Sequence, residues 1–343
     1  MNSLRKILFP FALIYGLITS IRNLAFDIGI LRSKTFDVPT IVVGNLSVGG
    51  TGKSPMIEYL VDLFNEKCKI AVLSRGYGRK TKGFLLADGG STAKDLGDEP
   101  YQFHRKFQEL EVAVDEKRVR GMENLLSVKP ELDLVLLDDA FQHRYVKASC
   151  YILLTSYDKL YINDFMLPAG DLREPRSGAK RAQIIIVSKC PDDLNASRRE
   201  EIKKKISPDS NQKLFFSRIK YDVAVINKQG RKSLEELKHS KVLLITGIAD
   251  PGPMEKFLTS NLINFEHLKF ADHQFIGKTE LHDIRKKLSG LAEEEKIIIT
   301  TEKDYVRNFI DVELPIFYLP IKTEIIEDSK IFNDLIQNYV RKN

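Results

Sequence analysis

The stretch TIVVGNLSVGGTGKSP, residues 40–55, decides how this chain is read. A short apolar run leads into a glycine-rich segment ending in Gly52, Lys53 and Ser54, the close of a G-x-x-x-x-G-K-[ST] phosphate loop. Ser47 stands where that pattern opens with glycine. Serine is acceptable there if the position needs no positive φ, since Gly49 and Gly50 supply freedom beside it. PMIEYLVDLF follows, with Met56, Ile57, Leu60, Val61 and Phe64 at helical spacing. Strand, glycine-rich turn and helix therefore occur in the order that a nucleotide site requires. A glycine-rich turn with an incidental lysine is the plainer alternative, and the helix behind the loop argues against it.

In this setting Ser47 to Ser54, Val48 included, form the candidate nucleotide-binding segment. The N–H groups of Gly49, Gly50, Thr51 and Gly52 would cradle phosphate oxygens at the helix N-terminus. Lys53 would reach the β- and γ-phosphates of ATP, and the Ser54 hydroxyl would ligate Mg²⁺.

Working outward, further buried-type runs recur at KIAVL, EVAV, DLVLLDD, CYILLT, QIIIVSK and KLFFSRI, with helical stretches between most of them. Such alternation predicts an α/β fold, a P-loop NTPase-like doubly wound parallel sheet. YDVAVINKQGRKSLEELKHSK, residues 221–241, is polar and reads as a connector. The pattern restarts in KVLLITGIADPGPMEKFL, KIIITTEKDYVRNF and LPIFYLP, a second, smaller α/β lobe. The expected division is 1–26 for an N-terminal helix, 27–222 for the P-loop domain and 223–343 for connector and second lobe. Two lobes so joined predict a cleft that closes around a ligand.

Composition narrows the class. With 43% apolar and 29% charged residues the chain is globular and not disordered. Cys68, Cys150 and Cys190 are too few and too scattered for a disulfide framework or a zinc site. The net charge of +6 suits an anionic partner, but the excess sits in mixed-sign runs such as RREEIKKKI. No basic stripe with interleaved aromatics occurs, which argues against nucleic acid. No feature points to a protein partner.

The N-terminus holds an apolar run from Ile7 to Ile18, with Arg5 and Lys6 before it and Arg22 after. It falls short of the roughly 20 residues that span a bilayer. A signal peptide lacks its small-residue cleavage site here, and a buried core helix remains an alternative. An interfacial helix, apolar body in lipid and cations at the head groups, accounts best for the flanks.

Other residues complete a candidate site. Asp138 and Asp139 follow the apolar run Leu134 to Leu137, where paired carboxylates would hold Mg²⁺ opposite the phosphate loop. A strand-ending turn is the competing explanation. In LGDEPYQFHRKF, Asp98 precedes a helical stretch and reads most simply as its N-cap. PAGDLREPRSG packs Arg173, Glu174 and Arg176 into one loop, suited to forked phosphate contacts or to an ordinary solvated turn. FADHQF sets Asp272 and His273 between aromatics, a context in which histidine usually just packs.

Taken together, RNLAFD, VPTIVVGNLSVGGTGKSP, SRGYGR, GDEP, LDDAFQHR, PAGDLREP, DHQF and TEKD occur in one order. This set resembles the tetraacyldisaccharide 4'-kinases, the lipid A 4'-kinases of Gram-negative bacteria, over nearly the whole chain. In that family a Ser or Thr at the first loop position is usual. The resemblance implies transfer of the γ-phosphoryl group of ATP, with Mg²⁺, to the 4'-hydroxyl of a lipid A disaccharide precursor. It implies work at the cytoplasmic side of the inner membrane, reached through the N-terminal helix. Lys53 and Ser54 would hold phosphates and metal, and Asp138 and Asp139 would act at the metal. Asp98 and His273 would form the dyad that activates the sugar hydroxyl, assembled when the lobes close. Gln142, His143, Arg173 and Glu174 match pocket positions, and Arg118 matches a phosphate contact for which Arg120 competes. Ser54 replaces the commoner Thr, and Gln274 replaces a second His. The rival is a P-loop switch or metallochaperone, which would use Lys53 and Asp138 but need neither Asp98 nor His273.

Overall fold

The computed structural model describes residues 5, 7–290 and 295–341; Lys6, expected as one of the flanking cations, lies outside them. The chain divides into two compact units, residues 1–219 with 323–343, and residues 220–322.

The first unit is built on nine strands: β1 (Thr40–Asn45), β2 (Ile70–Ser74), β3 (Leu85–Leu86), β4 (Glu111–Val114), β5 (Leu134–Asp138), β6 (Cys150–Ser156), β7 (Ile184–Ser188), β8 (Lys213–Tyr221) and, after the second unit, β15 (Ile321–Ile326). Their order is β15-β8-β7-β6-β1-β5-β2-β4-β3. From β8 through β4 every pairing is parallel, and the short β3 pairs antiparallel with β4. The inner strands are apolar on both faces because both are covered. Successive β1 residues split accordingly: Val42 belongs to the core that holds Met122, Leu125 and Ile202, Ile41 and Val43 to the one that holds Met56, Leu60 and Phe103. β1 lies between β5 and β6, so the chain's path along the sheet diverges at its end, the place where doubly wound sheets bind ligands.

The C-terminal helix Ser329–Arg341 differs from expectation. The sequence reading put it in the second lobe, but Phe332 and Ile336 are fully buried in the first unit's core beside Ile184 and Phe215. Its apolar stripe finds that uncovered sheet face, a pairing that local pattern does not encode.

The second unit holds β9 (Ala224–Asn227), β10 (Gly230–Ser233), β11 (Lys241–Thr246), β12 (Phe265–Lys269), β13 (Lys296–Thr301) and β14 (Ile316–Leu319), in the order β10-β9-β14-β13-β11-β12. The segment read as a connector forms the antiparallel hairpin β9–β10, followed by a capped turn in which Ser233 and Glu236 bond reciprocally. Buried Ala224 and Val225 anchor it to the core, which its polar composition conceals.

The helix Phe9–Asp27 belongs to the first unit. Ala12 and Phe26 are buried, whereas Phe11, Leu13, Ile14, Leu17, Ile18, Ile21 and Leu24 are each more than half exposed. Running past Arg22, the helix is by length and composition long and apolar enough to cross a membrane, further than its apolar run alone indicated.

Candidate active site

The phosphate loop leaves β1 after Asn45. Ser47 forms an isolated antiparallel bridge with Leu172, and Val48 N–H donates to Asp171 O at 2.7 Å. Ser47 is thus in extended pairing and outside the positive-φ region, while Gly49 (φ 105°) and Gly52 (φ 81°) make the turns that need glycine. Gly52 is the N-cap of the helix Lys53–Phe64, so the loop's free N–H groups face the mouth of β1. Thr51 is pinned from two sides: Asn45 Nδ2 donates to its Oγ1 at 2.9 Å, and Ser188 Oγ, at the end of β7, donates to its carbonyl at 2.7 Å.

Asp138 ends β5 beside this loop. Ser74 Oγ, at the end of β2, donates to its Oδ2 at 3.0 Å, and Oδ1 accepts no hydrogen bond among the described residues. Burial and the neighbouring Asp139 charge push its carboxyl up to about 6. Asp139 adopts φ 45°, a left-handed turn that aspartate tolerates better than most residues. Its carboxylate takes a forked pair of bonds from Arg173 (2.8 and 3.1 Å) and lies 3.7 Å from Lys53 Nζ. Burial raises its pKa, but Lys53 and Arg173 outweigh this and hold it down at about 2. The two adjacent carboxylates therefore differ in charge state near pH 6.

Asn45 is the hub that the sequence did not reveal. Lys53 Nζ sits 3.5 Å from its Oδ1, which also takes a bond from Arg173. Its carbonyl accepts from Arg173 at 3.0 Å and from Gln142 Nε2 at 2.8 Å. Gln142 also donates to Glu174 Oε1, and the buried Glu174 is held by Arg181 at 2.8 Å. Close approach of this layer requires Gly44, where a Cβ would lie 2.6 Å from Phe141 Cβ.

Of the two competing arginines, Arg118 stands at the carboxylates. It is buried and donates to the carbonyls of Asp115 (2.5 Å) and Asp138 (3.2 Å), so it fixes the β5 terminus. Arg120 is taken by Asp115 and Glu116. Burial, with Arg118 and Arg75 nearby, lowers His143 to about 4, so it is neutral at pH 7. Ser54 opens the helix half-buried beside Lys53.

Asp98 is not an N-cap: Gly97 holds that place, and Asp98 is the first helical residue of Asp98–Lys106. The next residue, Glu99, adds to the upward push on Asp138, which places this helix start within electrostatic reach of the carboxylates at the end of β5. His273 belongs to the second unit, at φ 61°. Its ring nitrogens lie 3.1 Å from Lys303 Nζ and 3.2 Å from Arg307 Nη2, so cations of the TEKD region stand against it. Arg307 is in turn fixed by buried Asp304, whose carboxylate also accepts from Gly247 N.

Sequence reasoning missed Asn45, Ser74, Glu99 and Arg181, and Lys189, whose Nζ lies 3.7 Å from where a Gly50 Cβ would sit. Only Asn45 and Ser74 carried a signal, since each lies at the end of a predicted strand.

Residues 4–341 match the family LpxK, tetraacyldisaccharide-1-P 4'-kinase. The chain is 51% identical to the tetraacyldisaccharide 4'-kinase of Flavobacterium johnsoniae, covering 100% of this chain and 99% of that one. To the Bacteroides fragilis enzyme of the same name it is 43% identical, over 100% and 95%. Among solved structures, LpxK from Aquifex aeolicus in complex with ATP superposes with a TM-score of 0.78 at 29% identity, covering 98% and 99% of the two chains. With a phosphate loop, an acidic strand end and a whole-length match in agreement, the chain belongs to the LpxK family of tetraacyldisaccharide-1-P 4'-kinases.

Proposed function

We propose that this chain transfers the γ-phosphoryl group of ATP to the 4'-hydroxyl of a tetraacyldisaccharide 1-phosphate, giving the bisphosphorylated lipid A precursor. The observation that carries this reading is the chain of contacts Lys53–Asp139–Arg173–Asn45 at the mouth of a phosphate loop, in a member of a family named for that reaction.

Phosphoryl transfer demands positioning and charge neutralisation more than covalent chemistry. Lys53 and the loop N–H groups bind the β- and γ-phosphates. In the free protein Asp139 and Asn45 hold the Lys53 ammonium at the mouth of the loop, and Arg173 fixes both partners. Gln142, Glu174 and Arg118 keep this layer in register, with His143 as a neutral neighbour.

Ser54, Asp138 and Asp139 are hard oxygen donors, the class that suits Mg²⁺. Asp138 fits best, because its Oδ1 is uncommitted while Asp139 is engaged by Arg173. Held by these donors, a Mg²⁺ ion would supply charge neutralisation for the phosphates. Asp98 accepts the proton of the acceptor hydroxyl, and His273 supports it in that role. The exposed apolar face of the helix Phe9–Asp27 rests on the cytoplasmic side of the inner membrane, where a multiply acylated acceptor stays anchored.

The test is transfer of labelled γ-phosphate from Mg-ATP to the acceptor in detergent. Wild type should yield a phosphorylated lipid, and Lys53→Ala should not. Asp98→Ala should lose about 10²–10⁴ in rate while binding ATP normally. His273→Ala should also lose activity, and adding it to Asp98→Ala should cost little more, the non-additivity of groups acting as a unit. Tight ATP binding that needs Lys53 but yields no lipid product would favour a nucleotide switch instead.

A further inference from the structure

The TEKD motif, residues 301–304, has no task in the reaction as described so far. It stands at the end of β13, beside the end of β11, and from there its last residue reaches His273 by two routes. Asp304 Oδ2 accepts from Gly247 N at 2.9 Å, and Gly247 O accepts from His273 N at 3.1 Å. Asp304 Oδ1 lies 3.3 Å from Arg307 Nη1, and Arg307 Nη2 lies 3.2 Å from His273 Nδ1. One carboxylate thus governs both the backbone and the ring of His273.

Each link is tightly built. A Cβ on Gly247 would lie 3.1 Å from Asp304 Oδ1, so this approach needs glycine. Thr301 Oγ1 also donates to Asp304 Oδ2, at 2.8 Å, which fixes the carboxylate from a second side. Arg307 falls in the wide π-type turn Tyr305–Phe309, a form that recurs at functional sites, and its side chain is fully buried. His273 itself holds φ 61°, a left-handed conformation that a non-glycine residue keeps only where its surroundings impose it.

The contact with Arg307 works in one direction. A guanidinium is always charged and has no lone pair to offer, so Nδ1 must accept. In the neutral ring the hydrogen then sits on Nε2. Nε2 faces Lys303 Nζ at 3.1 Å and Asp272 Oδ1 at 3.8 Å. An ammonium also only donates, and a neutral ring cannot accept from both cations. Arg307 prevails because it is buried and clamped by Asp304, whereas Lys303 carries its ammonium on a flexible stem that can turn away. The Asp272 carboxylate favours the same hydrogen.

We propose that Arg307, set by Asp304, is a positioning residue for His273: it caps Nδ1, fixes the ring and keeps the hydrogen on Nε2. This rests on the kinase reading above, in which His273 supports Asp98, and assigns the form of that support. A neutral Nε2–H would donate to the Asp98 carboxylate and leave it able to take the hydroxyl proton. With the hydrogen on Nδ1 instead, Nε2 would present a lone pair, which repels a carboxylate.

The experiment uses the full chain in non-ionic detergent. Nitrogen NMR of histidine-labelled protein, with His273 assigned from the signals lost in His273→Gln, reads the tautomer of the neutral ring. Wild type should carry the hydrogen on Nε2, and Arg307→Met should shift the ring toward a mixture of tautomers. In the transfer assay Arg307→Met should lower kcat about tenfold or more, the usual worth of a hydrogen bond to a charged group, with the KM for ATP unchanged. Combined with His273→Ala it should cost little more than His273→Ala alone, because the arginine acts only through the ring. A hydrogen on Nδ1 in wild type, or losses that multiply in the double variant, would overturn the positioning role while leaving the kinase reading intact. Should Arg307→Met fail to fold, with Asp304 left unpaired in the core, the wild-type tautomer still decides. Wild-type kcat in His273→Ala would overturn the dyad itself, and the positioning role with it.

Discussion

Asn23, on the exposed apolar helix, donates its side-chain amide to Glu174 Oε2 at 3.1 Å, and Glu174 in turn accepts from Gln142, which bonds the Asn45 carbonyl. The same helix sends the Tyr15 hydroxyl to Arg173 O at 2.9 Å and Arg22 to Gln142 O at 3.2 Å. One face of the proposed membrane helix is thus part of the wall behind the phosphate loop. Asn23→Asp would set a second carboxylate against buried Glu174, a like-charge contact without a donor. We expect kcat to fall about tenfold or more, on the scale of a lost hydrogen bond to a charged group. Sedimentation with vesicles should stay unchanged, and steady-state kinetics beside that assay check both halves. Loss of binding with normal kcat would show that the helix serves the membrane alone.

The opposite face admits the converse test. Leu13, Leu17 and Leu24 are each more than half exposed and make none of these polar contacts. Burial of such side chains is worth on the order of 1 kcal/mol apiece. The triple change to Gln should move the protein from the vesicle pellet to the supernatant. ATP affinity, read by titration calorimetry, should be retained, which separates this outcome from misfolding.

Arg173 binds Asp139 through two nitrogens and Asn45 through one of the same pair. Lysine keeps the charge but cannot form a fork. Arg173→Lys should therefore lower kcat at least about tenfold, the penalty of losing one charge-assisted bond. Its melting temperature should shift little, because Arg173 is not a core side chain. Unaltered kcat would mean that Asp139 is positioned by Lys53 without help.

These relationships mark where sequence legibility stops. The phosphate loop, Asp138 and Asp139 are readable because their chemistry is local: glycines at a turn, a lysine at a helix start, carboxylates at a strand end. The inner strands are readable because burial on both faces leaves unbroken apolar runs. Asn45 escaped because its role depends on Arg173 and Gln142, residues remote in sequence that meet only once β1 and β5 are adjacent. Asn23 escaped for a similar reason, since in sequence it follows Arg22 beyond an apolar run whose obvious reading is lipid. The helix Ser329–Arg341 was misplaced because nothing near it records that the chain returns through β15 to the first sheet.

Asp138 offers a prediction in which stability and function oppose one another. Burial and the Asp139 charge raise its pKa from 3.8 to about 6. The folded protein therefore binds this proton more tightly than the unfolded chain does. Its contribution to stability is most favourable below about pH 4 and is lost as pH rises through about 6, a swing of roughly 3 kcal/mol for two units. Asp138→Asn removes the buried charge, so without metal and nucleotide the variant should melt higher than wild type at pH 7.5. That advantage should shrink toward pH 4.5, where wild-type Asp138 is protonated; an equal difference at both pH values would refute the shifted carboxyl. In the wild type, protons compete with the ion below about pH 6, so apparent Mg²⁺ affinity should fall by up to about tenfold per unit there. The variant should show neither that dependence nor transfer activity, because the charge that destabilises the free protein is the one that would hold the metal.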